Sequence, residues 1–278
     1  MANPFKKNNP GCPCCGCPCA CYKFDDNAVA VLQADSSTSN LHLTSTSASL
    51  SDYTTGKLDK AFKHTGSQYH EHADHSCFNL GPDGINVWFW INPNYPADYD
   101  WGGTTVLPEG VITKGDVKEN GSYVFDGEWG IFFDFNESHA TYVGTLSFIV
   151  NGGHPTPYTS RLVGVTAQTW TFYFFWVSIE EGKLYLIQND DNTLTQTLGG
   201  TQTLTSDKKL YIGNNTEGKK LGEQEYDDVS RPWLIDNVGF CKDIGTKAEM
   251  EERAENLWND GYGRACNHAG YEGGGCCA

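Results

Sequence analysis

The stretch from Arg231 to Gly263 changes its hydrophobic period part-way along, and this change constrains the fold more than any other sequence feature. Its first part, Trp233–Phe240, alternates apolar and polar residues, which is typical of a half-buried β-strand. Thr246 followed by Glu249 has the spacing of a capping box, and helical spacing follows. Gly261 predicts the left-handed end of that helix. The stretch therefore predicts a strand and then one short helix.

The rest of the chain predicts β-structure. Val87–Ile91 is short, very hydrophobic and ended by Asn-Pro-Asn, as expected of a central sandwich strand. Thr169–Ser178 is the longest β-rich run, and frequent Gly, Ser, Thr, Asn and Asp clusters predict many turns. We find no internal repeat and no break that divides the chain. The sequence predicts an all-β domain at residues 22–263, between a Cys-rich arm (1–21) and a Gly/Cys-rich tail (264–278).

The chain is strongly acidic, with a formal net charge of -16 at pH 7. Binding to nucleic acid is not expected, because neutralising phosphates requires clustered Lys and Arg. The acidity fits solubility, and loop carboxylates that bind cations are the sharper alternative. No run approaches the roughly 20 apolar residues of a membrane helix. The N-terminus lacks the apolar segment of a Sec signal peptide, so we expect any export to use another route, such as an assembled particle.

Cysteines are concentrated at the two ends of the chain, and only Cys77 and Cys241 lie in the body. The terminal cysteines are Cys12, Cys14, Cys15, Cys17, Cys19, Cys21, Cys266, Cys276 and Cys277. They are suited to disulfides within or between subunits in an oxidising medium, which we favour, or to a shared thiolate cluster that binds a soft metal. The total is odd, so at least one thiol is free or pairs with another chain.

A histidine-rich tract contains His70, His72, His75 and Cys77. His70 and His72 would share one face of a strand, with His75 and Cys77 close by, so a transition-metal site is one interpretation. A polar surface strand and loop is the favoured one.

The order of these segments resembles the laminin-G-like branch of the concanavalin A-like lectin/glucanase superfamily. The matching pieces include Tyr22-Lys-Phe-Asp-Asp, Gly56–Phe62, Val87–Pro93, Ile112–Gly115, Gly182–Leu186, Leu210–Gly213, Ile235–Phe240 and Trp258–Gly261. The resemblance covers about residues 22–263 and implies a jelly-roll β-sandwich of two antiparallel sheets. It also implies that the first and last strands lie side by side, which would bring the two cysteine-rich ends together.

Some members of the superfamily are glycoside hydrolases that carry Glu-x-Asp-x-x-Glu on one strand, with two carboxylates as the catalytic pair. The nearest match here ends in Asp134 and Glu137, but Phe132 occupies the position of the first Glu. No nucleophile elbow, P-loop or dinucleotide fingerprint is present either. The chain is therefore not expected to be an enzyme.

The resemblance implies two kinds of loop site. Laminin-G-like domains often hold Ca²⁺ on a loop rim, and the candidate ligands are Asp98, Asp100, Asp116, Asp190, Asp191, Asp227 and Asp228. Solvated acidic loops are the favoured alternative. Sugars stack on exposed rings, and the candidate rings are Tyr95, Tyr99, Trp101, Tyr158 and Tyr226. Capping of the sandwich edges explains these rings equally well.

Together these features predict a non-enzymatic, lectin-like adhesion or structural protein of an extracellular assembly, and the absence of a signal peptide favours a virion, for example a phage tail, fibre or capsid-decoration protein. Its expected partners are further copies of itself, other structural proteins and surface glycans. A subunit of a cell-surface filament or coat is the alternative, and a divergent glycan-active enzyme is the third hypothesis. Fold alone does not decide among them.

Overall fold

The computed structural model describes residues 19–24, 32–33, 40–46, 52–66, 68–93, 109–119, 123–133, 145–151, 158–213, 219–220, 232–242 and 244–263. These residues form 17 strands and one α-helix, Lys247–Trp258 (α1). In chain order the strands are Ala20–Tyr22 (β1), Leu32–Gln33 (β2), Leu43–Thr46 (β3), Tyr53–Thr55 (β4), Lys60–His64 (β5), Tyr69–His72 (β6), Gly84–Pro93 (β7), Glu109–Glu119 (β8), Tyr123–Phe133 (β9), Thr145–Asn151 (β10), Tyr158–Gly164 (β11), Thr171–Ser178 (β12), Lys183–Gln188 (β13), Leu194–Thr197 (β14), Leu210–Ile212 (β15), Lys219–Lys220 (β16) and Trp233–Cys241 (β17).

The strands form two sheets. The first has the order β14-β13-β12-β7-β17-β5-β4, with β1 beside β17, and the second has the order β11-β10-β9-β8-β15-β6-β3-β2, with β16 beside β8. Neighbouring strands are antiparallel apart from the β16–β8 pair. The predicted all-β sandwich of two antiparallel sheets with one short helix is confirmed.

Strand β7 shows why the most hydrophobic run lies at the centre of the first sheet. Val87, Phe89 and Ile91 belong to the main core between the sheets, whereas Trp88 and Trp90 belong to a second buried cluster that includes residues of α1. Successive side chains of a strand point to opposite faces. Every residue of this run is therefore apolar because both faces of the strand are covered.

The first and last strands lie side by side, as predicted: Ala20, Cys21 and Tyr22 pair with Phe240, Gly239 and Val238. All three residues of β1 are buried. The strand that joins the sheet begins at Ala20, two residues before the predicted start of the domain at residue 22.

Helix α1 begins as predicted and ends earlier than predicted. The Thr246 hydroxyl accepts the Glu249 N–H at 3.3 Å and the Glu249 carboxylate accepts the Thr246 N–H at 2.7 Å, which confirms the capping box. The cap at the other end is Asn259, with φ 50°, so the predicted stop at Gly261 is wrong. Asparagine adopts the left-handed region more readily than most residues, because its side chain can form local hydrogen bonds.

Within the described segments, no helix combines the length and the apolar composition that a membrane span requires.

Candidate functional site

Of the five predicted sugar-contacting rings, the described part of the chain includes only the backbone of Tyr158, the first residue of β11. There it pairs with Asn151 of β10. The other four, Tyr95, Tyr99, Trp101 and Tyr226, lie outside the described residues. These five residues therefore remain predictions.

Of the predicted Ca²⁺ ligands, the structure describes the side chains of Asp190 and Asp191. Both are exposed in the turn after β13, where the Asp191 N–H donates to the Gln188 carbonyl at 2.9 Å. Asp116 is described by its backbone alone, in β8, and Asp98, Asp100, Asp227 and Asp228 lie outside the described residues. Among the side chains that are described, no three His, Cys, Asp or Glu residues converge as metal ligands. Ca²⁺ binding remains a prediction.

The cysteines give one clear pairing: Cys19 forms a disulfide with Cys77, 58 residues further along the same chain. Cys21 is disulfide-bonded as well. The remaining predicted cross-linking residues, Cys12, Cys14, Cys15, Cys17, Cys266, Cys276 and Cys277, lie outside the described residues. At Cys19 the favoured disulfide chemistry is therefore confirmed, and there it connects residues of one chain.

The histidine-rich tract does not assemble a metal site from its four members. Cys77 is used by the disulfide, and Nδ1 of His72 lies 2.6 Å from the Ala73 carbonyl. The interpretation of a polar surface strand is wrong for His70, which is fully buried. The tract therefore divides between the surface and the core.

His70 instead packs against His64, and we call these two residues the histidine pair. His64 lies in β5 of the first sheet and His70 in β6 of the second, and their ring centroids are 6.1 Å apart. The ring of Phe62 contacts both, at 4.8 and 4.3 Å. Nδ1 of His64 lies 3.3 Å from the Gln68 carbonyl, whereas the other three ring nitrogens have no hydrogen-bond partner among the described residues.

The histidine pair is held neutral by its surroundings. Burial lowers the pKa of His64 to about 4, although the hydrogen bond with Gln68 acts in the opposite direction. Burial also holds the pKa of His70 well below its usual value, and repulsion from His64 lowers it further. Desolvation disfavours the charged form of an imidazole.

A second buried polar group, which we call the lysine cluster, consists of Lys114, Asp74 and Glu128. Lys114 Nζ lies 2.8 Å from Asp74 Oδ1 and 3.6 Å from Glu128 Oε1, and the side chains of Lys114 and Glu128 are fully buried. The amine also donates to the carbonyls of Ser206 and Lys208.

Glu128 is held by groups from two loops. It accepts the Leu80 N–H at 2.5 Å and the Ser206 hydroxyl at 2.9 Å. Burial raises the pKa of Glu128, while these hydrogen bonds and the charge of Lys114 oppose that rise.

An irregularity between β8 and β9 positions this cluster. Lys114 pairs with Trp129 and Gly115 pairs with Gly127, so Glu128 is the extra residue of a β-bulge. Gly115 has φ 144°, and a Cβ there would overlap the backbone of Gly127. The bulge therefore requires glycine at that position, and it brings Glu128 toward Lys114 across the strand pair.

An exposed ring lies at the end of α1. Tyr262 is 76% exposed and is the one large hydrophobic residue that is exposed in the described part of the chain. Its backbone is fixed, because the Tyr262 N–H donates to the Asn259 carbonyl and the Gly263 N–H donates to the Trp258 carbonyl, both at 2.9 Å. Tyr262 was not among the rings predicted from sequence, although flanking glycines mark such turns.

No catalytic carboxylate pair is found on β9 among the described residues. Phe132 is buried and packs edge-on against Phe125, with ring centroids 5.4 Å apart. Glu128 is engaged in the lysine cluster, and Asp134 and Glu137 lie outside the described residues. A packed phenylalanine thus occupies the position that the first Glu has in the hydrolase pattern.

No family model and no curated protein sequence matches the chain. Several solved structures share its fold. The binding domain of Paraclostridial Mosquitocidal Protein 1 aligns with a TM-score of 0.59 and 11% identity, over 85% of this chain and 54% of that one. The receptor-binding domain of the botulinum neurotoxin C/D mosaic serotype aligns with a TM-score of 0.56 and 13% identity, over 85% of this chain and 50% of that one.

A third similar structure is the ligand-binding domain of botulinum neurotoxin serotype D in complex with N-acetylneuraminic acid. It aligns with a TM-score of 0.56 and 14% identity, over 86% of this chain and 50% of that one. The chain thus spans about half the length of the solved domains that it matches. At these identities the likeness shows the fold, and all three neighbours are binding domains.

Proposed function

We propose that this chain is a non-enzymatic, glycan-binding sandwich domain of the concanavalin A-like type, and that Tyr262 contacts the sugar. The observation that supports this proposal most directly is the 76% exposure of Tyr262, on a turn whose backbone is fixed by hydrogen bonds. A rigid exposed ring offers an apolar face at little cost in conformational entropy. The likeness to binding domains supports a binding role.

The acidity of the chain favours neutral sugars. Asp260 and Glu255 are exposed close to Tyr262 in sequence, and the whole chain carries a net charge of -16. An anionic sugar such as N-acetylneuraminic acid would be repelled by these carboxylates. We therefore expect neutral hexoses to bind in preference to sialylated glycans.

A glycan array probed with the full chain tests this proposal, with Tyr262→Ala and Tyr262→Phe as matched variants. The phenylalanine variant keeps the ring and retains binding, whereas the alanine variant loses about tenfold or more in affinity. Because Tyr262 is exposed, both variants keep the stability of the parent to within about 0.5 kcal/mol. Equal binding by the alanine variant would refute the role of Tyr262.

The setting that we propose is an extracellular assembly, with a virion as the favoured one. It rests on the concentration of cysteines at residues 12–21 and 266–277 of the sequence. In this proposal the cysteines outside the described residues link copies of the chain, and loop carboxylates bind Ca²⁺. Disulfides form in oxidising surroundings, so the links would form once the particle is released.

Mass analysis of native material, with and without reductant and with metal quantified in the same sample, tests the assembly. Disulfide-linked, metal-free multimers support cross-linking. Monomers that carry several zinc or copper ions indicate a thiolate cluster and refute it. A shell or tail that copurifies with the chain supports the virion, and a surface filament supports the alternative.

A further inference from the structure

The lysine cluster brings together an amine, a carboxyl group in contact with it and a second, buried carboxyl group 3.6 Å from the amine. We propose that Lys114 and Asp74 condense to an intramolecular isopeptide bond, with Glu128 as the residue that transfers the proton. This inference is independent of the glycan-binding proposal. It assigns a covalent modification to this protein that needs no cofactor and no oxidant.

The reacting groups are already in contact. Nζ of Lys114 lies 2.8 Å from Oδ1 of Asp74, and these residues are 40 positions apart in sequence. Holding two reactants in such an arrangement corresponds to effective concentrations on the order of 10⁵ M or more. Proximity of this kind can drive an amide condensation that is unfavourable between free molecules in water.

The surroundings of Lys114 prepare the amine for attack. Its side chain is fully buried, so protein groups and not water surround the amine. The carbonyls of Ser206 and Lys208 accept from the amine. When the third proton is lost, these two carbonyls hold the remaining N–H bonds, and the lone pair points toward Asp74.

Glu128 is placed to accept and return a second proton, the one that the nitrogen loses after it attacks. Its Oε1 lies 3.6 Å from Nζ of Lys114, and the side chain is fully buried. Burial raises the pKa of Glu128. This carboxylate therefore holds a proton taken from the amine more strongly than an exposed carboxylate would.

The step balances without any other reactant. The Lys114 ammonium first gives the proton of its hydrogen bond with Oδ1 of Asp74 to that carboxylate, which becomes a carboxylic acid. The neutral amine then attacks Cγ of Asp74, and a new C–N bond forms. Glu128 takes the second proton from the nitrogen and gives it to the departing hydroxyl, so the C–O bond breaks and one water leaves. Glu128 ends as it began.

The exposure of Asp74 suits this step. Its side chain is 39% exposed whereas that of Lys114 is not exposed, so the released water can pass directly to solvent. The segment that carries Asp74 also carries Cys77, which is joined to Cys19. The amide would tie the same segment to β8, and two covalent links would then hold it three residues apart.

The chain contains its own control. Lys209 Nζ lies 2.9 Å from Glu71 Oε1, a separation close to that of Lys114 and Asp74, but 48% of the Lys209 side chain and 23% of the Glu71 side chain are exposed. Because this pair is in contact with solvent, we expect no condensation there, and Lys209 serves as the control.

The test is the mass of the purified full-length chain after reduction and denaturation. We expect it to be one water lighter than the sequence mass. Asp-Gly steps such as Asp126-Gly127 can also lose water by cyclising, so the loss must be located. After trypsin digestion, the Lys114 and Asp74 peptides should run as one branched species, with cleavage absent after Lys114 and present after Lys209.

Two variants sharpen the test. Asp74→Ala, at the partly exposed partner, should restore the full mass and cleavage after Lys114. Glu128→Gln keeps the shape of the side chain but cannot transfer a proton, and it should restore the full mass as well. A wild-type chain of full mass that is cleaved after Lys114 overturns the proposal. A branched peptide that persists in Glu128→Gln overturns the role of Glu128.

Discussion

The histidine pair and the lysine cluster are both buried polar groups between strands, and they differ in how their polar atoms are satisfied. Lys114 and Glu128 meet opposite charges, carbonyls and donors. His64 and His70 leave three of their four ring nitrogens without a partner among the described residues. A satisfied group remains polar at a modest cost, whereas an unsatisfied group remains buried only in its neutral form. The two clusters should therefore respond differently to mutation and to pH.

The largest expected effect is from Lys114→Met introduced into the Asp74→Ala variant, in which the Lys114 amine is not joined in an amide. It leaves Glu128 buried without its counter-ion, and breaking a buried pair in this way costs about 3 kcal/mol or more of unfolding free energy. Urea denaturation at pH 7 measures it. The same substitution at Lys209, in the exposed pair with Glu71, should cost less than about 1 kcal/mol. Equal losses at the two positions would mean that burial does not distinguish the pairs.

Acid should act mainly on the histidine pair. The pKa of His64 falls from 6.5 in the unfolded chain to about 4 in the fold, so the unfolded state binds the proton more tightly between these values. Stability is therefore lost as pH falls from about 6.5 to 4, by about 3 kcal/mol from His64. Glu128, whose pKa is raised, changes stability in the opposite direction, because its contribution to the unfolding free energy falls as pH rises.

A His64→Leu/His70→Leu double variant lacks both buried imidazoles. The difference in unfolding free energy between it and the wild type therefore separates the contribution of the two histidines from that of all other groups. Urea denaturation of both proteins across this pH range provides the measurement. Parallel curves would show that the histidines are not buried as described.

At neutral pH the single histidine variants should differ from each other. His70→Leu removes two unpartnered nitrogens and should change stability by less than about 1 kcal/mol. His64→Leu also removes the group that meets the Gln68 carbonyl, so it should cost about 1 kcal/mol more than His70→Leu. Thermal unfolding measures the stability of the two variants. A His70→Leu variant that is less stable than the His64→Leu variant would contradict the hydrogen bond between His64 and Gln68.

The smallest expected effect is from Ser45→Ala. Ser45 pairs with His70 in the β3–β6 register, and its buried hydroxyl has no partner among the described residues. Its removal should change the unfolding free energy by less than about 0.5 kcal/mol, or raise it slightly. A loss of 1–2 kcal/mol, on the scale of an unsatisfied partner, would reveal a buried water or ion that bridges this hydroxyl to the histidine pair.

Local patterns predicted the parts of the fold that depend on neighbours in sequence. The Thr246–Glu249 capping box and the apolar run of β7 belong to this group. The alternation of His70 and His72 predicted a shared face but not which face, because the pattern does not say what covers it. Asn259 was missed for a similar reason, since glycine is the commoner residue at a left-handed cap.

The candidate sites were harder to predict. Glu128 meets Lys114 because a bulge shifts the β8–β9 register, and no sequence period reports a bulge. Lys114 and Asp74 are 40 residues apart, so their contact exists only in the folded chain. Tyr262 is defined by exposure, a property of the fold. What the sequence did supply was the turn residue on each side of it, Gly261 and Gly263.

The Cys19–Cys77 disulfide determines which bonds transmit a mechanical force that is applied at residue 19. Cys19 N donates to the Phe240 carbonyl, so β1 begins beside the end of β17, and a pull on residue 19 away from the sheet would peel β1 off one hydrogen bond at a time. With Cys19 bonded to Cys77, the tension passes instead into the segment that precedes β7, through a covalent link. Strand β1 is thus excluded from the path of the force.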